Sequence, residues 1–228
     1  MVRGDQYVGG LVGSQQGGVI TESVNGASVT AAQGYSGGIA GEIINDSLVD
    51  SCTNTGDIRA ERSGDAGGIT AILEQGARIN TTKSAGNVIS SNGNAAGIAA
   101  LNYGEITAAS ASGTITALND VGGIAAINDH IIKESDVSQL TYTSVSGSSN
   151  SRIGGITALN TENGMIENCT VGKDGKIAIS AKVPGGYYGG LAGINRGTVK
   201  GSSAGNLYTK VSADINADTS DSAISAYM

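Results

Sequence analysis

Apolar positions in this chain come in runs of two or three, broken at short intervals by Gly, Asn, Asp or Ser, as in "GGIAGEIINDSLVDSCTNTGDIRAE". No window sustains apolar residues at i, i+3, i+4 and i+7, so no amphipathic helix is predicted. Short, often β-branched segments between turn residues predict strands instead.

The segments recur. One phrase is written seven times: "GGLVGSQ", "GGIAGEI", "GGITAIL", "AGIAALN", "GGIAAIN", "GGITALN" and "GGLAGIN". Its second residue gives the anchors Gly10, Gly38, Gly68, Gly97, Gly123, Gly155 and Gly190, at intervals of 28, 30, 29, 26, 32 and 35 residues. A second phrase follows each anchor ("GVITES" to "GTVKGS"), and then a third ("ASVTAA" to "NLYTKVS"). A near-constant period marks a repeat architecture. Three strands per period predict an all-β, right-handed parallel β-helix (β-solenoid) of about seven three-strand coils. Coils start near residues 8, 36, 66, 95, 121, 153 and 188. The repeat domain spans 1–212, and 213–228 form a partial coil or C-terminal cap. At ~4.8 Å per coil the rod is roughly 30 Å long.

In such a fold the informative unit is the column, one position followed through all coils. The column one after the anchor (Leu11, Ile39, Ile69, Ile98, Ile124, Ile156, Leu191) is aliphatic and belongs inside. Strand alternation sends Gly13, Gly41, Ala71, Ala100, Ala126, Ala158 and Gly193 inside too. It turns Val12, Ala40, Thr70, Ala99, Ala125, Thr157 and Ala192 outward. Five after the anchor, Asn102, Asn128, Asn160 and Asn195 occupy four consecutive coils, a spacing that suits a stacked amide ladder. Four after the anchor, Ile72, Leu101, Ile127, Leu159 and Ile194 face outward by alternation. Either the strand bends and tucks them in, or they form an apolar interface stripe. Cys52 and Cys169 share a small inward column four coils apart, roughly 19 Å. That is too far for a disulfide, so both are expected as buried free thiols.

Composition narrows the picture. Among 228 residues there are 37 Gly, one Pro and neither Trp nor Phe, so the core is narrow and filled by Ile, Val, Leu and Ala. A net charge of −7, with 14% charged residues, argues against nucleic acid as a partner. No apolar run approaches the ~20 residues of a membrane span. "MVRGDQYVGG" lacks the apolar segment of a secretory leader. The chain enters the repeat at once, which predicts a longer parent chain or self-association, because an uncovered coil edge invites pairing.

Candidate chemistry is sparse. The densest polar cluster is Asp129, His130, Lys133, Glu134 and Asp136, with the chain's single His, yet no second acidic cluster faces it. Glycoside hydrolysis in its common form needs two facing carboxylates. No catalytic residue, metal site or cofactor is assigned. Tyr7, Tyr35 and Tyr187 share one column, with Tyr188 beside the last, as weak candidates for stacking on sugar rings. Arg3-Gly4-Asp5 matches the integrin-read tripeptide.

"GGLVGSQQGGVITESVNGASVTA", "GGLAGINRGTVKGSSAG" and "AGIAALNYGEITAASASGTIT" together resemble the GLUG repeat. The resemblance covers the chain to about residue 212, and coils two and three depart from it by replacing the Asn. It implies a noncatalytic β-solenoid segment of a large bacterial surface or secreted protein, of the kind seen in adhesin-like proteins and immunoglobulin A metallopeptidases. Such a segment acts as a rigid spacer or as a binding and assembly surface. Its implied partners are other domains of a longer chain, a second copy, or a host glycan or protein. The alternative is a carbohydrate-active β-helix, either a polysaccharide lyase or a phage-type depolymerase.

Overall fold

The computed structural model describes residues 1–144, 151–172, 177–181, 186–205 and 207–211. Its elements are all strands, stacked in parallel from rung to rung. The first phrase forms a seven-stranded ladder from Val12–Gln16 to Ala192–Asn195, and the second forms another from Val19–Thr21 to Thr198–Lys200. The third phrase builds the third wall, within a larger sheet that includes Val29–Ala31, Ile58–Ala60 and Val88–Ser90. A narrow fourth ladder runs through the residues just before each anchor, from Val8–Gly9 to Tyr187–Gly189. The molecule is thus a β-solenoid of seven rungs and about six turns. The candidate cap, 213–228, lies outside the described residues.

Register is residue on residue. Ile72 pairs with Glu42 below and Leu101 above, and Leu101 with Ile127. Uneven repeat lengths are absorbed in the turns, while the strands keep one column per position. Burial follows. Ile39, Ile69, Ile98, Ile124 and Ile156 are each 0% exposed. Val49, Ile79, Ile106, Ile132 and Ile166 line the second wall, and Val29, Ile58, Val88, Ile115 and Tyr142 the third. Each such side chain contributes about 1.5–3 kcal/mol of burial. Leu11, in the same column as Ile39 but in the first rung, is 43% exposed.

One expectation fails. The column expected to face outward, Ala40, Thr70, Ala99, Ala125 and Thr157, is fully buried. Ala40, Ala99 and Ala125 belong to the hydrophobic core, because the chain bends just past the anchor, where the N–H groups of Ile39 and Ala40 both donate to Ile69 O (2.9 and 3.1 Å). A Cβ on Gly37 would stand 1.9 Å from the Ala40 carbonyl oxygen and 2.6 Å from the Thr70 Cα. Six of the seven phrases open with glycine at this approach, and rung 4 carries Ala96 there instead. The hydroxyls of Thr70 and Thr157 donate to backbone carbonyls, Thr70 to Ile72 at 3.0 Å and Thr157 to Leu159 at 3.0 Å.

The corner after the second phrase uses the left-handed backbone region in every rung: Glu22, Ser51, Thr81, Ala108, Glu134, Asn168 and Gly201 have φ of 49–61°. For a non-glycine residue this conformation costs roughly 1–2 kcal/mol. All of these corners but Gly201 also send their N–H to the next rung, as Ser51 does to Asn80 O (3.1 Å) and Thr81 to Thr107 O (3.0 Å). The residue after each corner turns inward, and there Cys52 and Cys169 sit, fully buried and free. In rung 3 this position is Thr82, whose buried hydroxyl has no hydrogen-bond partner. An unsatisfied buried donor costs ~1–3 kcal/mol. Thr82→Val should therefore raise the melting temperature by ~2–4 °C for about 1 kcal/mol gained, read by circular dichroism. No rise would mean that the hydroxyl is satisfied in solution.

Candidate binding surface

Outward columns are where this fold can meet a partner. On the first-phrase sheet the stripe Ile72, Leu101, Ile127, Leu159 and Ile194 stacks in register. Ile72 is only 8% exposed, and the other four are half-buried. It is a partly covered band, neither a free apolar patch nor a fully tucked corner. Toward rung 1 it gives way to Glu42 and Ser14, whose hydroxyl donates to Glu42 Oε1 at 2.7 Å.

The amide column lies on the inner side of the same strands. Asn102 Nδ2 donates to Asn128 Oδ1, Asn128 to Asn160, and Asn160 to Asn195, each at 2.7 Å. Each amide also reaches a turn carbonyl, for example Asn128 to His130 O at 3.3 Å. This is a one-directional chain of satisfied donors inside the rod. A second amide contact, not read from the sequence, joins Asn25 to Asn54 at 2.8 Å in rungs 1 and 2. Its signal was present as Val24-Asn25-Gly26 and Thr53-Asn54-Thr55, at the same offset from the third phrase.

The tyrosine column is mixed. Tyr7 and Tyr35 stack on one another at 5.3 Å between centroids and 19° between planes. Their faces are turned along the rod and largely spent on each other. Tyr187 is 52% exposed five rungs further on, paired in register with Arg152, while Tyr188 packs against the core. Between them the column holds Asp65, Asn94, Asp120 and Arg152. The Asp65 carboxylate accepts from the Asn94 N–H at 2.7 Å, and burial pushes its pKa up against that bond. Arg152 forks onto Asp120, with Nε to Oδ1 at 2.7 Å.

The polar cluster after Asn128 does not converge. Asp129 accepts from Thr161, Lys133 pairs with Glu105 of the rung below, and His130, Glu134 and Asp136 are exposed. The Lys133 bond holds the Glu105 carboxyl below its usual range. Glu167 is likewise held down by Lys200, at 2.7 Å. Among the described residues no group of three His, Cys, Asp or Glu is placed to hold a metal ion. The Cys169 thiol is pushed up to about 11 by burial, so it is protonated at neutral pH and a poor nucleophile. Arg3 lies in a strand with its guanidinium on Glu61 at 2.8 Å, so the Arg-Gly-Asp tripeptide is not a free loop.

The third-phrase sheet carries a feature that the sequence reading missed. An open groove of about 420 Å³ crosses rungs 1 to 4, lined by Ser28, Thr30, Asp57, Arg59, Asn87 and Thr114 among others. It ends where the wall changes. Rungs 1 to 3 make a turn between two short strands, whereas rung 4 runs through as one eight-residue strand, Ser110–Ala117. A register shift at Ala111/Gly113 marks the change in the next pairing.

No protein-family model, curated protein or solved structure matches this chain.

Proposed function

We propose that this chain is a noncatalytic β-solenoid module of the GLUG-repeat kind, part of a bacterial surface or secreted protein, serving as a rigid spacer that displays its outer columns to a partner. The observation that carries this reading is how the ionisable side chains are used. Glu105 with Lys133, Asp120 with Arg152, and Glu167 with Lys200 are paired between neighbouring rungs. Asp129 is held by Thr161, and Asp65 by Asn94. Charges arranged this way tie rungs together along the rod. They do not offer a carboxylate pair across a cleft, which hydrolysis of a glycosidic bond requires. The half-buried Ile/Leu band offers surface to further domains or to a second copy.

Incubation of the purified chain with a panel of acidic and neutral polysaccharides tests the reading. We expect no shortening of any chain over a day, by size-exclusion chromatography with refractive-index detection. Depolymerisation that is lost in Asp129→Asn or Glu134→Gln would overturn it in favour of a carbohydrate-active β-helix.

A further inference from the structure

We propose that the groove on the third-phrase sheet is a binding site for a carboxylated saccharide strand, with Arg59 holding a uronate carboxylate. This deepens the binding role proposed above and rests on it.

Two independent observations point to a ligand. Thr30 lines the groove at 8% exposure, and its hydroxyl forms no hydrogen bond among the described residues. Arg3 and Arg59 flank Thr30 in one outward column. The side chain is mostly covered, yet its hydroxyl, open to the groove, has no partner among the described residues and is free to bond a ligand. The second observation is Arg59. Its side chain is exposed, lines the groove, and pairs with no carboxylate among the described residues, whereas Arg3 and Arg152 are both forked onto acids. Asp57, two residues away on the same face, keeps its own charge but forms no ion pair with Arg59. Asp57 Oδ1 is instead occupied by Asn87, which donates both its backbone N–H and its Nδ2 at 3.0 Å.

The groove therefore offers a guanidinium fork suited to a planar carboxylate, surrounded by the hydroxyls of Ser28, Thr30 and Thr114. The strands flanking the floor are already paired on both sides, so an extended peptide has no free backbone edge to add to. A saccharide needs none. It is read by side-chain hydroxyls, amides and charges, and here these recur at the rung spacing of ~4.8 Å, close to the length of one pyranose residue.

The test is a titration of the intact chain with tetragalacturonate, followed by isothermal calorimetry and by amide shifts in NMR, beside cellotetraose and a short polyglutamate at equal concentration. Saturable binding of tetragalacturonate, with shifts centred on residues 28–30, 57–59 and 87–89, is the expected result. Arg59→Ala should weaken it about tenfold or more, Thr30→Val several-fold, and Lys83→Ala, an exposed cation outside the groove, not at all. Three results would each overturn the site: no saturation by tetragalacturonate, equal binding by cellotetraose or polyglutamate, or an Arg59→Ala chain that binds like the parent. Cleavage of the tetramer with binding intact would leave the site standing and sink only the noncatalytic reading.

Discussion

Gly123→Ala is expected to be among the most damaging small substitutions in the molecule. A methyl group there would stand 2.0 Å from the Gly155 carbonyl oxygen, 2.6 Å from the Tyr142 hydroxyl and 2.7 Å from Val137 Cγ2. None of the three can yield cheaply. The carbonyl is held in the rung above, and it also accepts the Tyr142 hydroxyl at 2.9 Å. Tyr142 is itself fully buried. Forcing extra volume into a packed interior costs ~1–3 kcal/mol where side chains can move and more where backbone must. We expect a loss on the order of 3 kcal/mol, or a fall of roughly 6–12 °C in Tm for a chain of this size. Gly205→Ala, where nothing among the described residues lies within 4 Å of the new methyl, is the control and should melt within about 0.5 kcal/mol of the parent. Equal melting of the two variants would mean that the anchor column is not where the rungs touch.

Asn128→Asp addresses the interior ladder. Asn128 is 0% exposed, accepts from Asn102, and donates to Asn160 and His130. An ionised carboxylate there would keep the acceptor, lose both donors and face carbonyl oxygens with its charge. Burying a charge without a partner costs several kcal/mol, so we expect a loss of at least about 3 kcal/mol at pH 7. Burial raises the folded-state pKa of the new carboxyl above its unfolded value of ~3.9. Its neutral form, which can still donate to Asn160, is therefore favoured in the folded chain. The variant's stability relative to the parent is greatest below the unfolded pKa and is lost as pH rises through the folded one. Denaturant melts at pH 4 and pH 8 should show the gap between variant and parent shrinking at pH 4. A gap that stays constant would place the side chain in water.

Much of this architecture is legible in the sequence because the repeat is written in short phrases whose columns keep one chemistry. Ile39 through Ile156 announce an interior, and four successive Asn suggest their own stacking. What the sequence hides depends on contacts between phrases. Alternation alone turns Ala40 and Thr70 outward. Their burial comes from a bend just past the anchor, where Ile39 and Ala40 both donate to Ile69 O, and strict alternation does not foresee that bend. The left-handed corners are equally silent. Glu22, Ser51, Thr81, Ala108 and Glu134 are not the residues that usually mark a positive φ, and they hold it because their N–H groups are claimed by the next rung. The groove escaped for a related reason. Thr30, Arg59 and Asn87 look like ordinary solvated positions until three rungs are set side by side and a fourth closes the end.

Seven phrases make seven rungs of one rod. Pulsed electron resonance between spin labels at Thr21→Cys and Lys200→Cys, in a Cys52→Ala/Cys169→Ala background, tests it most directly. Both positions are exposed and lie in one outward column, six rung spacings apart. At ~4.8 Å per rung the backbone separation is ~29 Å. The account requires a single narrow distance population consistent with that separation and the label lengths. A broad distribution, or a mean far beyond it, would contradict the rod.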